Sequence, residues 1–232
     1  MGSFSTVFLD LDDTLYPSSS GVWDAIGDRI QVFLMDRLGL RDDEARAMRR
    51  SFFQDYGTTL NGLIANHLAD PQDYLEFVHD IPLEEYLGPD DGLRAMLGAL
   101  PQRRIVFTNS HRAHAERVLE ALDVRDRIDQ ILDIVALGFR NKPEADSYAI
   151  AMAAADHALP DACLIVDDML RNLLPAAALG MTTVHVDEVG APELAPHYRI
   201  RDIKELTAAI PSLLDGHAAP GTPPTADGAN PP

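Results

Sequence analysis

An α/β fold, with a parallel sheet and an all-helical insertion after its first strand, is predicted by three observations. From residue 90 onward, apolar runs of strand length alternate with helical stripes, the pattern of a parallel sheet closed by right-handed crossovers. Two of the runs, TVFLDLDD near the start and ACLIVDD at 162–168, are unbroken apolar stretches cut off by acids. Buried parallel strands read that way, and ligands of open α/β sheets sit at their carboxyl ends. Residues 18–88 carry helical periodicity alone. The core is therefore assigned to 1–17 and 89–214, the insertion to 18–88 and a disordered tail to 215–232.

Val7, Phe8 and Leu9 form the first strand, and Asp10 and Asp12, two apart in extended chain, face one crevice while Leu11 points inward. Pro17, the serines at 18–20 and Gly21 end that pattern. Val22, Ile26, Ile30, Phe33 and Leu38 make a helical stripe that Gly39 closes. A second helix begins near Asp42, its expected cap, with Ala45, Met48, Phe52 and Tyr56 on one side. In YGTTLNGL, two glycines flank two hydroxyls inside a helical region, which reads either as a structureless stretch or as a backbone that bends to make a pocket. One short helix over 71–79 follows, and Pro82 and Pro89 bracket the return to the core.

Leu93, Met96, Leu97 and Leu100 mark a helix, 104–110 a strand ending in hydroxyl and amide groups, and Ala115, Val118, Leu119 and Leu122 the next helix. A short strand lies within 128–137. Pro143 suits the first position of a helix running to about Asp156, which would set Lys142 at that helix's start. After the strand at 162–168 come a helix through Ala178, a turn at Gly180, the strand TTVHV and a last helix from Asp202 to Ile210. The tail is rich in Pro, Gly and Ala, too poor in large apolar groups to offset its ordering entropy.

The 232 residues carry 37 acids against 19 bases, a formal charge of -18, with the bases scattered. That balance argues against a nucleic-acid polymer or a membrane as partner and leaves a small anionic substrate, provided a metal and local cations reverse the field in one site. The single cysteine, Cys163, excludes a disulfide framework and reads as core. The N-terminus shows no basic leader and no run approaches a membrane span, so a soluble, cytoplasmic protein is expected.

Strand ends thus deliver Asp10 and Asp12, then Thr108 and Asn109, then Lys142, then Asp167 and Asp168, to one rim. Clustered carboxylates require a cation or a shared proton. Mg2+ takes oxygen ligands, and Asp10, Asp167 and the Asp12 carbonyl are expected to hold it, with Asp168 behind them. A phosphate ester would bind to Thr108, Asn109 and Lys142. Asp10 suits the nucleophile that forms an aspartyl-phosphate, and Asp12 the acid and then base, protonated when substrate arrives. Asp13 is expected to point away. Tyr16, Trp23, Tyr56, Thr58, Thr59 and Asn61 are candidates for touching the leaving group. His111 and His114 read as solvent-facing at a helix start, and His67, His79 and His185 have no ligand-like spacing.

DLDDT at 10–14, the Thr108–Asn109 pair, Lys142 before Pro143, and Asp167–Asp168 together resemble the haloacid dehalogenase-like hydrolases over about residues 4–190. The resemblance implies a Rossmann-like core, Mg2+, a nucleophilic first Asp, an acid-base second Asp and a mobile helical cap, placed here at 18–88. Dehalogenating members generally lack the second Asp, so Asp12 favours a phosphatase. DLDDTLYP, YGTTLNGL, FVHDIPL and VFTNSHRAHAERVL are similar to the pyrimidine 5'-nucleotidase group, which implies a nucleoside 5'-monophosphate substrate. Phosphoglycolate, a sugar phosphate or a haloacid are the alternatives. A phospho-accepting signalling receiver shares the acids, Thr and Lys, but the large insertion and Asp12 argue against it. A catalytically silent binding module would not need every one of these groups. Arg140, just before Lys142, either adds charge to the site or faces solvent.

Overall fold

The computed structural model describes residues 4–156, 158–188 and 196–215. The tail expected at 215–232 lies, from residue 216 on, outside the described residues. The strands are β1 (Thr6–Leu9), β2 (Arg103–Phe107), β3 (Gln130–Leu132), β4 (Cys163–Asp167), β5 (Thr182–Val186) and β6 (Tyr198–Ile200). They form one parallel sheet in the order β3-β2-β1-β4-β5-β6.

Period-two alternation sorts the side chains of the central strands into two apolar layers. Val7, Leu9, Val106, Leu164 and Val166 pack on one face, against α5 (Asp91–Ala99) and α6 (Arg112–Ala121). Phe8, Ile105, Phe107 and Ile165 pack on the other, against Tyr148 and Ala151 of α7 (Ala145–Ala154) and Leu173 and Ala176 of α8 (Leu170–Leu179). Every β1 side chain is buried, and each such apolar group contributes about 1.5 to 3 kcal/mol. Leu9 aligns with Val106 on one neighbour and with Val166 on the other, so Asp10 and Asp167 come level at one end of the sheet.

The insertion forms α1 (Val22–Leu38), α2 (Asp42–Tyr56), α3 (Thr59–Ala65) and α4 (Pro71–Val78). Gly39 ends α1 at φ 67°, in the left-handed region that favours glycine. Gly57, at φ 83°, breaks α2 from α3, and Thr58 Oγ1 then accepts the Asn61 N–H at 3.1 Å as the cap of α3. Hydrogen bonds from side chains to backbone carbonyls dock this unit on the core. Arg171 Nη2 donates to Gly57 O at 2.8 Å, Asn61 Nδ2 to Phe139 O at 2.9 Å, and Arg117 Nη1 to His79 O at 3.0 Å.

Several expected boundaries move. Asp42 is the first residue of α2 rather than its cap; Arg41 holds that place, its N–H donated to Glu44 Oε2 at 2.9 Å. Strand β2 stops at Phe107 because Thr108 Oγ1 takes the Ser110 N–H at 3.0 Å and turns the chain. Pro143 is not the first residue of α7. It follows a cis Lys142–Pro143 bond, Glu144 is the cap, and the Lys142 backbone is tied to Asn109 instead of to a helix. The last helix is a 3-10 turn, the four-residue α9 (Leu206–Ala209) and a second 3-10 turn. Strand β6 was not expected, since three residues with one buried apolar side chain carry no periodicity. Among the described residues no helix is long and apolar enough to cross a membrane.

Candidate active site

Asp10 follows β1, Asp167 ends β4, and Lys142 reaches between them from the turn before α7. Lys142 Nζ donates to Asp10 Oδ1 at 2.7 Å and to Asp167 Oδ2 at 2.6 Å, and its side chain is 1% exposed. Burial works against the charge of Lys142, but Asp10 and Asp167 outweigh it and hold the ammonium above its ordinary range. Burial pushes the Asp10 carboxyl up to about 7, with Lys142 pulling it down and Asp167 adding to the rise.

Asp167 is fully buried, its oxygens taken by Lys142, by the Met169 N–H at 2.8 Å and by Asn172 Nδ2 at 2.9 Å. Asp168 lines the cavity instead, with its N–H donated to Thr14 Oγ1 at 3.1 Å. The expected ranking of the two is reversed: Asp168 faces the open space and Asp167 anchors the lysine. Burial, then the charges of Asp10 and Asp167, push Asp168 up to about 9.

The ligand atoms of Asp10, Asp167 and Asp168 lie within 4.8 Å of one another. Three carboxylates face a single ammonium, and burial first, then the neighbouring carboxylates, raise Asp10 and Asp168. Hard oxygen donors, without sulfur or imidazole among them, fit a hard divalent cation.

Asp12 sits in a nest of donors. Tyr16 OH donates to Oδ1 at 2.6 Å, His114 Nε2 lies 2.8 Å from the same oxygen, and Ser110 Oγ donates to Oδ2. Burial acts to raise this carboxyl, but the His114 charge and the hydrogen bonds from His114, Ser110 and Tyr16 hold it well below the usual carboxylate range. These donors favour the ionised form of Asp12 in the free site. Asp13, expected to point away, lines the cavity with φ 57°, and burial together with Asp12 pushes it up to about 6.

The cavity, about 570 Å³, lies between the sheet rim and the insertion. Thr108 and Asn109 line it, but the Asn109 side chain is committed to the backbone of Lys142, accepting its N–H at 2.8 Å and donating to its carbonyl at 3.1 Å. Asn109 thus positions Lys142, where a phosphate ligand was expected. Of the leaving-group candidates, Trp23, Thr58 and Thr59 line the cavity. Tyr16 is drawn to Asp12. Tyr56 and Asn61 line a separate cleft, Asn61 being held by Phe139 and Asn141. Arg140 pairs with Asp146 at 3.0 Å, away from the site.

Sequence reasoning missed Thr14, Ser110, Asn172 and His114. His114 was legible: it stands four residues before Val118, on the buried stripe of α6, rather than on the solvent face. Its ring stacks on His79, centroids 4.5 Å apart, and burial with His114 alongside pushes His79 down to about 3.

A sheet rim of this kind, with a helical unit inserted after its first strand, defines a hydrolase scaffold, and residues 4–180 match the family model of the haloacid dehalogenase-like hydrolases. The chain belongs to that family. Phosphate metabolism protein 8 of Saccharomyces cerevisiae is 31% identical over 188 residues, 75% of this chain, and the chain spans 59% of that protein's length. Among solved structures, a HAD phosphatase from Thermococcus onnurineus superposes with a TM-score of 0.63 at 18% identity, covering 88% of this chain and 97% of that one. The Bacillus subtilis HAD-hydrolase YfnB, bound to magnesium, gives 0.60 at 14% identity over 89% and 98%. The L-2-haloacid dehalogenase of Xanthobacter autotrophicus, with chloropropionic acid covalently bound, gives 0.57 at 17% over 93% and 100%. At these identities the likeness is one of fold.

Proposed function

We propose that the protein is a Mg2+-dependent phosphomonoesterase acting on a small metabolite through an aspartyl-phosphate on Asp10, with a nucleoside 5'-monophosphate as the leading substrate. The observation that carries this reading is Asp10 beside Lys142 on the cavity rim, with a second carboxylate, Asp12, two residues on. A haloacid carries no alkoxide to protonate and leaves Asp12 without work. The phosphate in the yeast relative's name and the magnesium in the YfnB structure agree with the reading.

Asp10, Asp168 and the Asp12 carbonyl would hold Mg2+, which when bound neutralises charge on the phosphate oxygens. Lys142 pulls the Asp10 carboxyl toward its ionised form against burial, orients it and faces the phosphate as a point charge. Thr108 and neighbouring backbone amides hold phosphate oxygens. An Asp10 oxygen attacks phosphorus as the ester P–O bond breaks, and Asp12 hands its proton to the departing alkoxide. That proton enters with the ester, whose second ionisation lies near pH 6. Asp12 then takes a proton from the water that attacks the aspartyl-phosphate, releasing inorganic phosphate and free Asp10. Residues 18–88 act as the cap that covers the leaving group, with Trp23, Thr58 and Thr59 its contacts.

A hydrolysis screen over nucleotides, sugar phosphates, phosphoglycolate and 2-chloropropionate, with Mg2+ and with EDTA, tests the reading. Release of phosphate that EDTA abolishes is expected. Chloride release with no phosphate release would overturn it.

A further inference from the structure

His114 is the third residue of α6 and its side chain is 0% exposed. An ionised carboxylate only accepts hydrogen bonds, so at 2.8 Å from Asp12 Oδ1 the His114 Nε2 must carry the proton. The other ring nitrogen, Nδ1, is buried without a partner, so this imidazole is turned wholly toward Asp12. One ring face is covered by His79, which stands at the end of α4 in the insertion, with the ring planes 26° apart. His79 Nδ1 donates to Leu75 O at 2.9 Å, which fixes that ring in turn. Arg117, one turn along α6 from His114, donates to His79 O at 3.0 Å and to Ile81 O at 2.6 Å. The insertion is thereby tied to α6 at the level of the histidine that holds Asp12.

We infer that His114 is a positioning residue for Asp12, and that the insertion sets its ring plane through His79. This rests on the phosphatase reading. Tyr16 and Ser110 approach Asp12 from the segments that follow β1 and β2, and His114 supplies the third donor, which fixes which carboxylate oxygen meets the leaving group. A group acting in proton transfer is worth about 10² to 10⁴ in rate, and misplacement by about 1 Å costs on the order of 10²-fold.

The test compares wild type, His114→Leu, His114→Gln, His79→Ala and His79→Phe on p-nitrophenyl phosphate and phenyl phosphate, esters of one shape with good and poor leaving groups. His114→Leu is expected to lose roughly 10- to 100-fold in kcat on phenyl phosphate and clearly less on p-nitrophenyl phosphate, with KM near wild type. Gln places an amide N–H near the position of Nε2 and should recover most of the loss, and Phe at 79 should lose less than Ala. Equal losses on both esters, or Gln no better than Leu in variants whose thermal melts match wild type, would overturn the inference. Should wild type hydrolyse neither ester with Mg2+, the phosphatase reading fails. Crystal structures then decide the positioning separately: an Asp12 carboxylate in the same orientation in wild type and His114→Leu overturns it, and a rotated one upholds it.

Discussion

Asp12 and Lys142 show how far single residues carry the chemistry. Asp12, in a nest of three donors, is poised as a carboxylate whose geometry is set before any ester arrives. Asp12→Asn keeps the volume and removes the proton carrier. The expected result is a fall of about 10² to 10⁴ in kcat, steeper for phenyl than for p-nitrophenyl phosphate. Equal falls on the two esters would contradict the acid role. Lys142→Ala strands Asp10 and Asp167, both buried, without their cation, which costs about 3 to 5 kcal/mol. Urea unfolding without Mg2+ should show it as a lower midpoint, and an unchanged midpoint would contradict the pairing. At this scale the sequence made Asp10, Lys142 and the 167–168 pair legible, because acids that close neighbouring apolar strands repel one another at the sheet rim unless a cation holds them there. It did not show that Asn109 serves Lys142, that Asp168 and not Asp167 faces the cavity, or that His114 grips Asp12. Those depend on side-chain direction after a turn, which strand and helix periods do not encode.

Among the elements, the break between α2 and α3 matters most to the site, since it brings Thr58 and Thr59 to the cavity and Gly57 to the core. A Cβ on Gly57 would meet Asn141 Nδ2 and come within 3.3 Å of Arg171 Nη2, at a φ that L side chains rarely adopt. Gly57→Ala should therefore destabilise by about 1 to 3 kcal/mol, and weaken the docking of the insertion on the core. A calorimetric melt equal to wild type would sink that account. Two glycines around two hydroxyls left a bent pocket and a structureless stretch both open, whereas helices with strong stripes such as α1 stand where periodicity put them. Elements set by tertiary pairing were not legible: β6 exists because β5 offers an edge, and α7 starts late because Asn109 holds the Lys142 backbone.

Taken whole, the molecule carries a charge of -18 and gathers buried carboxyls at one rim. Asp10 and Asp168 titrate at 3.8 in the unfolded chain and at about 7 and about 9 when folded. Between those values the folded chain holds more protons than the unfolded one, so metal-free stability falls as pH rises from about 4 through 9. A divalent cation relieves the same repulsion. Thermal melts at pH 5 and pH 8.5 should show Mg2+ raising Tm far more at the higher pH, and Asp168→Asn should flatten the metal-free decline. A Mg2+ effect independent of pH would contradict the charge account. The parallel sheet and helical insertion were legible in the alternation of strand and helix patterns, whereas the depth of burial that lifts these carboxyls follows only from packing.

Hydrolysis of p-nitrophenyl phosphate by folded Asp10→Asn in saturating Mg2+ bears most directly on the whole. Loss of turnover by at least about 10³-fold, with the thermal melt retained, is the predicted result for a carboxylate nucleophile. Turnover equal to wild type would contradict it.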